Sequence, residues 1–256
     1  MSLLGSIVLA TVIAGVASTL LAGLFLLVPE RARGVALPAM VSFAIGSLLG
    51  AAFIGLLPEA FIGLGPEHGE RVGGVVVAGL LAFFVLEKYL LWRHCHQEPC
   101  AAHPVERSMA GGLVVVGDSI HNFVDGLLIA AAFLSDPSLG FTTAAAVAAH
   151  EIPQEMGDFA VLLHSGFSRR KALLFNVGSG LAMVGGGVVG YLALAAVEQA
   201  VPYALAFAAA SFVYVAAADL IPAQHRRLGL RAGVQQLALI TAGAAQIWLV
   251  HGLHHG

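Results

Sequence analysis

Residues 139–163 read LGFTTAAAVAAHEIPQEMGDFAVLL, and residues 109–134 read MAGGLVVVGDSIHNFVDGLLIAAAFL. Both runs are mainly apolar, carry histidine and carboxylate in their interior, and contain no Lys or Arg. A helix of roughly 20 mainly apolar residues spans the hydrocarbon core of a bilayer. The runs are too long for barrel strands and lack period-two alternation, so they predict membrane helices. Asp118, Asp125, Glu151, Glu155 and Asp158 then fall within two spans that offer them no basic partner. A charge at the centre of a spanning helix costs about 2.5–3.5 kcal/mol on insertion scales. A bound divalent cation offsets that cost, and protonation is the alternative when the cation is away.

Six further stretches of the same kind extend outward from this pair: Leu3–Leu27, Val35–Phe61, Val72–Leu91, Ala172–Val197, Val201–Ile221 and Ala232–Val250. With Met109–Leu134 and Leu139–Leu163 they predict an all-α integral membrane protein of eight spans. Composition agrees: 59% of residues are hydrophobic, 11% are charged and the mean hydropathy is +0.89. Soluble domains carry about 25% charged residues. The net charge of −3 leaves no basic footprint for nucleic acid. Two cysteines, Cys95 and Cys100, are too few for a disulfide framework. The first stretch lacks a basic leader and exceeds a signal-peptide core, so it reads as a retained helix. Residues 1–256 are expected to form a single transmembrane domain.

Charge placement orients the spans, because Lys and Arg collect in cytoplasmic loops. With eight spans and both termini outside, the inner loops hold Arg31 and Arg33; Lys88, Arg93 and Arg107; Arg169, Arg170 and Lys171; Arg226, Arg227 and Arg231. That is 11 of the 12 basic residues, and only Arg71 falls outside. The glycines Gly185, Gly186, Gly187 and Gly190 give one span a small-residue face, suited to close or sliding helix contact.

Residues three and four apart share a helix face. His121 stacks with Asp125 and with Asp118; His150 stacks with Gln154, and Asp158 follows one turn on. Asn122 lies three before Asp125, and Glu151 with Glu155 forms an adjacent stripe. Imidazole with carboxylate suits zinc, and also divalent iron, cobalt or manganese. Pro153 removes one helix hydrogen bond and frees the Ala149 carbonyl, which predicts a local break. The primary candidate ligands are His121, Asn122, Asp125, His150, Glu151 and Gln154. Asp118, Glu155, Asp158, Glu59 and Asp219 are candidate pathway or supporting groups. The longest polar insert, 92–107, holds His94, Cys95, His96, Cys100 and His103 at irregular spacing. It matches no structural zinc motif and reads as a loop that accepts or senses metal. His251, His254 and His255 read as a solvated tail.

His121-Asn122-Phe123-Val124-Asp125-Gly126 and His150-Glu151-Ile152-Pro153-Gln154-Glu155-Met156-Gly157-Asp158 resemble the two metal-binding spans of the Zrt-/Irt-like (ZIP) family of divalent metal transporters. The second matches the family's His-Glu-x-Pro-x-Glu-x-Gly-Asp signature. Leu56-Leu57-Pro58-Glu59-Ala60 resembles its second span, and Tyr214-Val215-Ala216 through Asp219 its seventh. The resemblance implies import of zinc, or of iron, manganese, cobalt or cadmium, into the cytoplasm through a centre between spans four and five. No organic cofactor is implied. By position, His121, Asp125, His150 and Gln154 would line one site. Asn122, Asp125, Glu151 and Gln154 would line a second, with Asp125 bridging. The resemblance also implies an elevator movement against a scaffold that includes spans two and seven, a homodimer, and residence in the cytoplasmic membrane.

Two departures stand out. Gln154 is a neutral amide where some members carry Glu or His, which weakens a second site. Gly55 stands where many relatives have a His before the proline of the second span. The competing reading is an intramembrane zinc hydrolase, because His150-Glu151 begins like His-Glu-x-x-His. Position 154 is Gln, however, and the second His of that motif is missing.

Overall fold

The computed structural model describes residues 2–95, 104–225 and 229–255. Among them no strand occurs, and the chain forms eight long helical rods. They are α1 (Leu3–Phe25), α2 (Glu30–Leu64), α3 (Gly69–Cys95), α4 (Pro104–Ser135), α5 (Pro137–His164), α6 (Arg169–Ala195), α7 (Glu198–His225) and α8 (Leu230–His255). Segments of α1, α2, α3, α4, α6 and α7 are long and apolar enough to cross a membrane. α5 and α8 are of similar length, at 28 and 26 residues. In α5, His150, Glu151, Gln154, Glu155 and Asp158 interrupt the apolar run.

The rods outgrow the apolar runs. α3 continues to Cys95 and α4 starts at Pro104, so the polar insert is partly helical and His94 and Cys95 lie on a rod. His96, Cys100 and His103 lie outside the described residues, as do Arg226 and Arg227. The histidines His251, His254 and His255 belong to the last turns of α8.

Local chemistry sets the rod ends. Asp136 caps α5 by accepting from the Leu139 N–H, with Pro137 at the first helical position. Ser168 does the same for α6 through the Lys171 N–H. Gly65 ends α2 at φ 88° and Gly166 follows α5 at φ 89°, a region that glycine enters without steric cost. Hydroxyls inside the rods donate to carbonyls of the preceding turn, as Thr11 does to Ile7 and Ser42 to Pro38. No polar hydrogen is left facing hydrocarbon at these positions.

Three rods widen into a π-helical turn, at Val12–Ala17 in α1 without a proline and in α2 and α7 ahead of one. A π-helical turn at Ala51–Leu56 precedes Pro58 in α2, and one at Val215–Leu220 precedes Pro222 in α7. In each case the carbonyl four residues before the proline lies in the widened turn, where the ring clash is relieved. α5 behaves otherwise. It stays α-helical from Pro137 to His164 with Pro153 inside, so the expected break is absent.

The rods pack as two groups, α1, α4, α5 and α6 against α2, α3, α7 and α8. Each group is organised by a close glycine crossing. A Cβ at Gly126 would overlap the Met183 carbonyl, and one at Gly186 the Phe123 carbonyl, so α4 and α6 meet backbone to backbone. Gly46 against the Ile240 carbonyl and Gly243 against that of Phe43 bring α2 and α8 together in the same way. Gly187 faces Thr11 and Ile7 on α1. Gly186, Gly187 and Gly190 therefore pack inside one group, whereas Gly185 meets nothing within 4 Å. Leu48, Leu56, Ile129, Phe133, Leu205 and Phe212 fill the core between the groups. Outward, Leu81, Phe84, Leu174, Leu192, Leu237 and Trp248 are 49–69% exposed, a surface suited to lipid.

Candidate metal centre

The α4–α6 crossing fixes one wall of the centre and α5 supplies the other. His121 and Asp125 stand one turn apart on α4; His150 and Glu151 are neighbours on α5. His150 Nδ1 lies 3.3 Å from the Ala146 carbonyl one turn back. A carbonyl only accepts, so Nδ1 carries the proton and the Nε2 lone pair faces inward. Phe212 of α7 lies against the imidazole, at 6.4 Å between ring centroids. Asp125, His150 and Glu151 are buried and His121 is partly so.

Their ligand atoms converge. His121 Nε2 lies 3.3 Å from His150 Nε2 and 3.7 Å from both Asp125 Oδ2 and Glu151 Oε1. His150 Nε2 lies 3.2 Å from Asp125 Oδ2 and 3.5 Å from Glu151 Oε1. All four ligand atoms fall within 4.8 Å of one another. A tetrahedron with bonds of about 2.0–2.1 Å has edges of about 3.3–3.4 Å. The observed separations are close to those edges. Two neutral imidazoles and two carboxylates sum to a charge that one divalent ion cancels.

Asp118, Glu151 and Glu155 form a second convergent group, sharing Glu151 with the first. It offers only oxygen. Asn122 donates to Asp118 Oδ1 at 3.1 Å, and Gln154 donates to the same oxygen at 3.4 Å. The Gln154 amide thus reaches Asp118, and Glu151 is common to both groups. The Asn122 amide also reaches Ser179 Oγ at 3.4 Å, leaving Asn122 Oδ1 unpaired. Asp118 Oδ2, both Glu151 oxygens and Glu155 Oε2 are buried without a hydrogen-bond partner. Buried polar atoms normally have partners, so these carboxylates call for a cation or for protons.

Sequence reasoning missed Thr19 and Ser179. Thr19 of α1 donates to Glu155 Oε1 at 2.8 Å across the bundle. Both are polar residues within otherwise apolar spans, but so are several hydroxyls that serve only their own helix. A cavity of about 510 Å3 leads from His121 past Asp118, Gln154 and Asp158 to Asp219. It runs towards the rod ends that carry most of the Lys and Arg. Glu59 is elsewhere, at the opposite end, accepting from Ser135 Oγ at 3.0 Å.

Fold and site together define a polytopic helical membrane protein with a transition-metal-type ligand cluster in its interior. Comparison with known proteins narrows the class. The family model described as ZIP Zinc transporter matches residues 92–251. Human zinc transporter ZIP13 is 32% identical over 257 residues, covering 81% of this chain and 68% of ZIP13. Human zinc transporter ZIP4 is 46% identical over 111 residues, 43% of this chain and 17% of ZIP4. Zinc transporter ZIP10 of Danio rerio is 41% identical over 110 residues, 43% of this chain and 13% of its own length. The chain belongs to the ZIP family. It spans under a fifth of the length of the ZIP4 relatives it matches. The family is one of zinc transporters and not of enzymes, so the hydrolase reading of His150-Glu151 is set aside.

Proposed function

We propose that this protein moves a divalent metal ion, zinc first among them, across the membrane through the centre between α4 and α5. Iron, manganese, cobalt and cadmium are the further substrates its donor set admits. The observation that carries the reading is the near-tetrahedral convergence of His121, Asp125, His150 and Glu151, with His121 also lining a cavity that Asp118, Gln154, Asp158 and Asp219 share. Asn122 and Gln154 act beside them through Asp118, and the Asp118–Glu151–Glu155 group takes the ion on its way along the cavity. Asp158 and Asp219 line the remainder of that route.

The rest of the reading concerns the assembly. All eight rods cross the membrane with both termini outside, and metal moves inward. The group holding α4 and α5 shifts as a body against the group holding α2 and α7, and the latter forms a homodimer in the cytoplasmic membrane. His94, Cys95, His96, Cys100 and His103 receive metal on the inner side.

The test is flux into sealed proteoliposomes loaded with a zinc-sensitive dye. Saturable uptake of zinc or cadmium down a gradient is expected, with no flux in empty vesicles. Folded protein that binds zinc in detergent yet moves neither zinc, cadmium, iron nor manganese would falsify the reading.

A further inference from the structure

Away from the metal centre, α1, α5 and α6 enclose a cavity of about 590 Å3 together with the first turns of α2. Leu20, Leu24, Leu27, Phe159, Leu163 and Leu173 supply most of its wall. Two arginines line the same cavity, half-buried Arg33 of α2 and exposed Arg169 in the first turn of α6. Among the described residues neither makes an ion pair, and Arg33 Nε is shielded from water without an acceptor. A guanidinium stays charged and presents a donor fork that fits a phosphate. Leaving such a donor unmet is unfavourable, more so when it carries charge.

The cavity is thus amphipathic, with two cations and a leucine wall. A small soluble anion would leave the wall uncovered, and a neutral acyl chain would leave the guanidiniums unmet. We propose that this cavity binds one anionic phospholipid, its phosphodiester on Arg33 and Arg169 and an acyl chain along the leucines. Basic pockets between membrane helices are suited to anionic headgroups. Arg169 belongs to one helix group and Arg33 to the other, so the lipid would tie the two groups at their basic ends. Phe159, in the wall, adjoins Asp158 of the metal route. Binding rests on insertion in the membrane and not on the transport reading.

The test is native mass spectrometry of the full chain in mild detergent, titrated with dioleoylphosphatidylglycerol or dioleoylphosphatidylcholine. One phosphatidylglycerol per chain should bind ahead of phosphatidylcholine. The Arg33→Gln/Arg169→Gln variant should bind it about thirtyfold more weakly, near fivefold for each arginine. Arg170→Gln/Lys171→Gln removes equal charge from the same end and should bind as the parent does. Leu24→Trp narrows the cavity with both arginines kept and should also lose the lipid. Equal affinity for the two lipids would overturn the proposal. So would a loss in the Arg170/Lys171 variant matching that in the Arg33/Arg169 variant, or full displacement by millimolar inorganic phosphate. Should the arginine variant fail to fold, the comparison of two lipids on parent and Leu24→Trp still decides. Because the readout is lipid mass, failure of metal flux leaves the result intact.

Discussion

With its Nδ1 proton committed to the Ala146 carbonyl, His150 can offer only Nε2 to its neighbours, and every close contact of the cluster runs through that atom or through His121 Nε2. His121→Ala, Asp125→Ala and His150→Ala should each abolish saturable uptake and weaken zinc binding in detergent by more than a supporting residue does, beyond roughly 100-fold. Thr19→Val keeps the shape but removes the donor to Glu155, and roughly tenfold weaker binding is expected. Ligation needs deprotonated imidazole, so binding must release protons. Zinc affinity should therefore be lower at about pH 5.5 than at about pH 7.5, because protons compete for the ligands. An affinity equal at those two pH values would remove these groups from the site. Gln154→Glu places a carboxylate against Asp118. In chelator it should melt lower than the parent, and zinc should raise its melting temperature by more. His121, Asp125, His150 and Glu151 stood out in the sequence because histidine and carboxylate are rare in an apolar run. Thr19 did not, since a lone threonine is common in membrane helices and its partner lies 136 positions away.

At the scale of the element, glycines adjacent in sequence have different tasks. Gly186 lies against the Phe123 backbone, whereas a Cβ at Gly185 would meet nothing within 4 Å. Gly186→Ala forces α4 and α6 apart and should cost about 1–3 kcal/mol or more. Gly185→Ala should leave stability within about 0.5 kcal/mol. Thermal unfolding in detergent, followed by circular dichroism, separates the two, and equal losses would contradict the crossing geometry. The small-residue pattern was visible in the sequence, but the face that meets α4 was not. Proline shows the same limit. Pro58 and Pro222 each follow a widened turn while Pro153 sits in an unbroken helix. Pro38 likewise sits in plain α-helix, and α1 widens at Val12–Ala17 with no proline nearby.

The whole molecule is asymmetric in charge. The rod ends near Arg31, Arg33, Lys88 and Arg169–Lys171 are basic, and those near Glu59, Glu67, Glu70, Asp136 and Glu198 are acidic. Cysteines introduced by Glu67→Cys and Arg170→Cys, in a background of Cys95→Ser and Cys100→Ser, should be labelled by an impermeant reagent from opposite faces. Labelling of both from one face would break the eight-span topology. Both positions are exposed and neither has a positive φ, so the substitutions carry no backbone strain.

The sequence by itself determined that this chain is helical, that it belongs in a bilayer, and that two of its helices carry histidines and carboxylates within apolar runs. Those properties follow from hydropathy, helical period and the cost of unpaired charge, and all three act within one segment. Only the tertiary structure placed Glu151 in both convergent groups, and the Gln154 amide within reach of Asp118. It alone brought Thr19 to Glu155, and Arg33 and Arg169 to one cavity. Those relations depend on rotation and depth of one helix against another. Close backbone crossings at Gly126, Gly186, Gly46 and Gly243 set them, and no spacing within a single helix encodes that register.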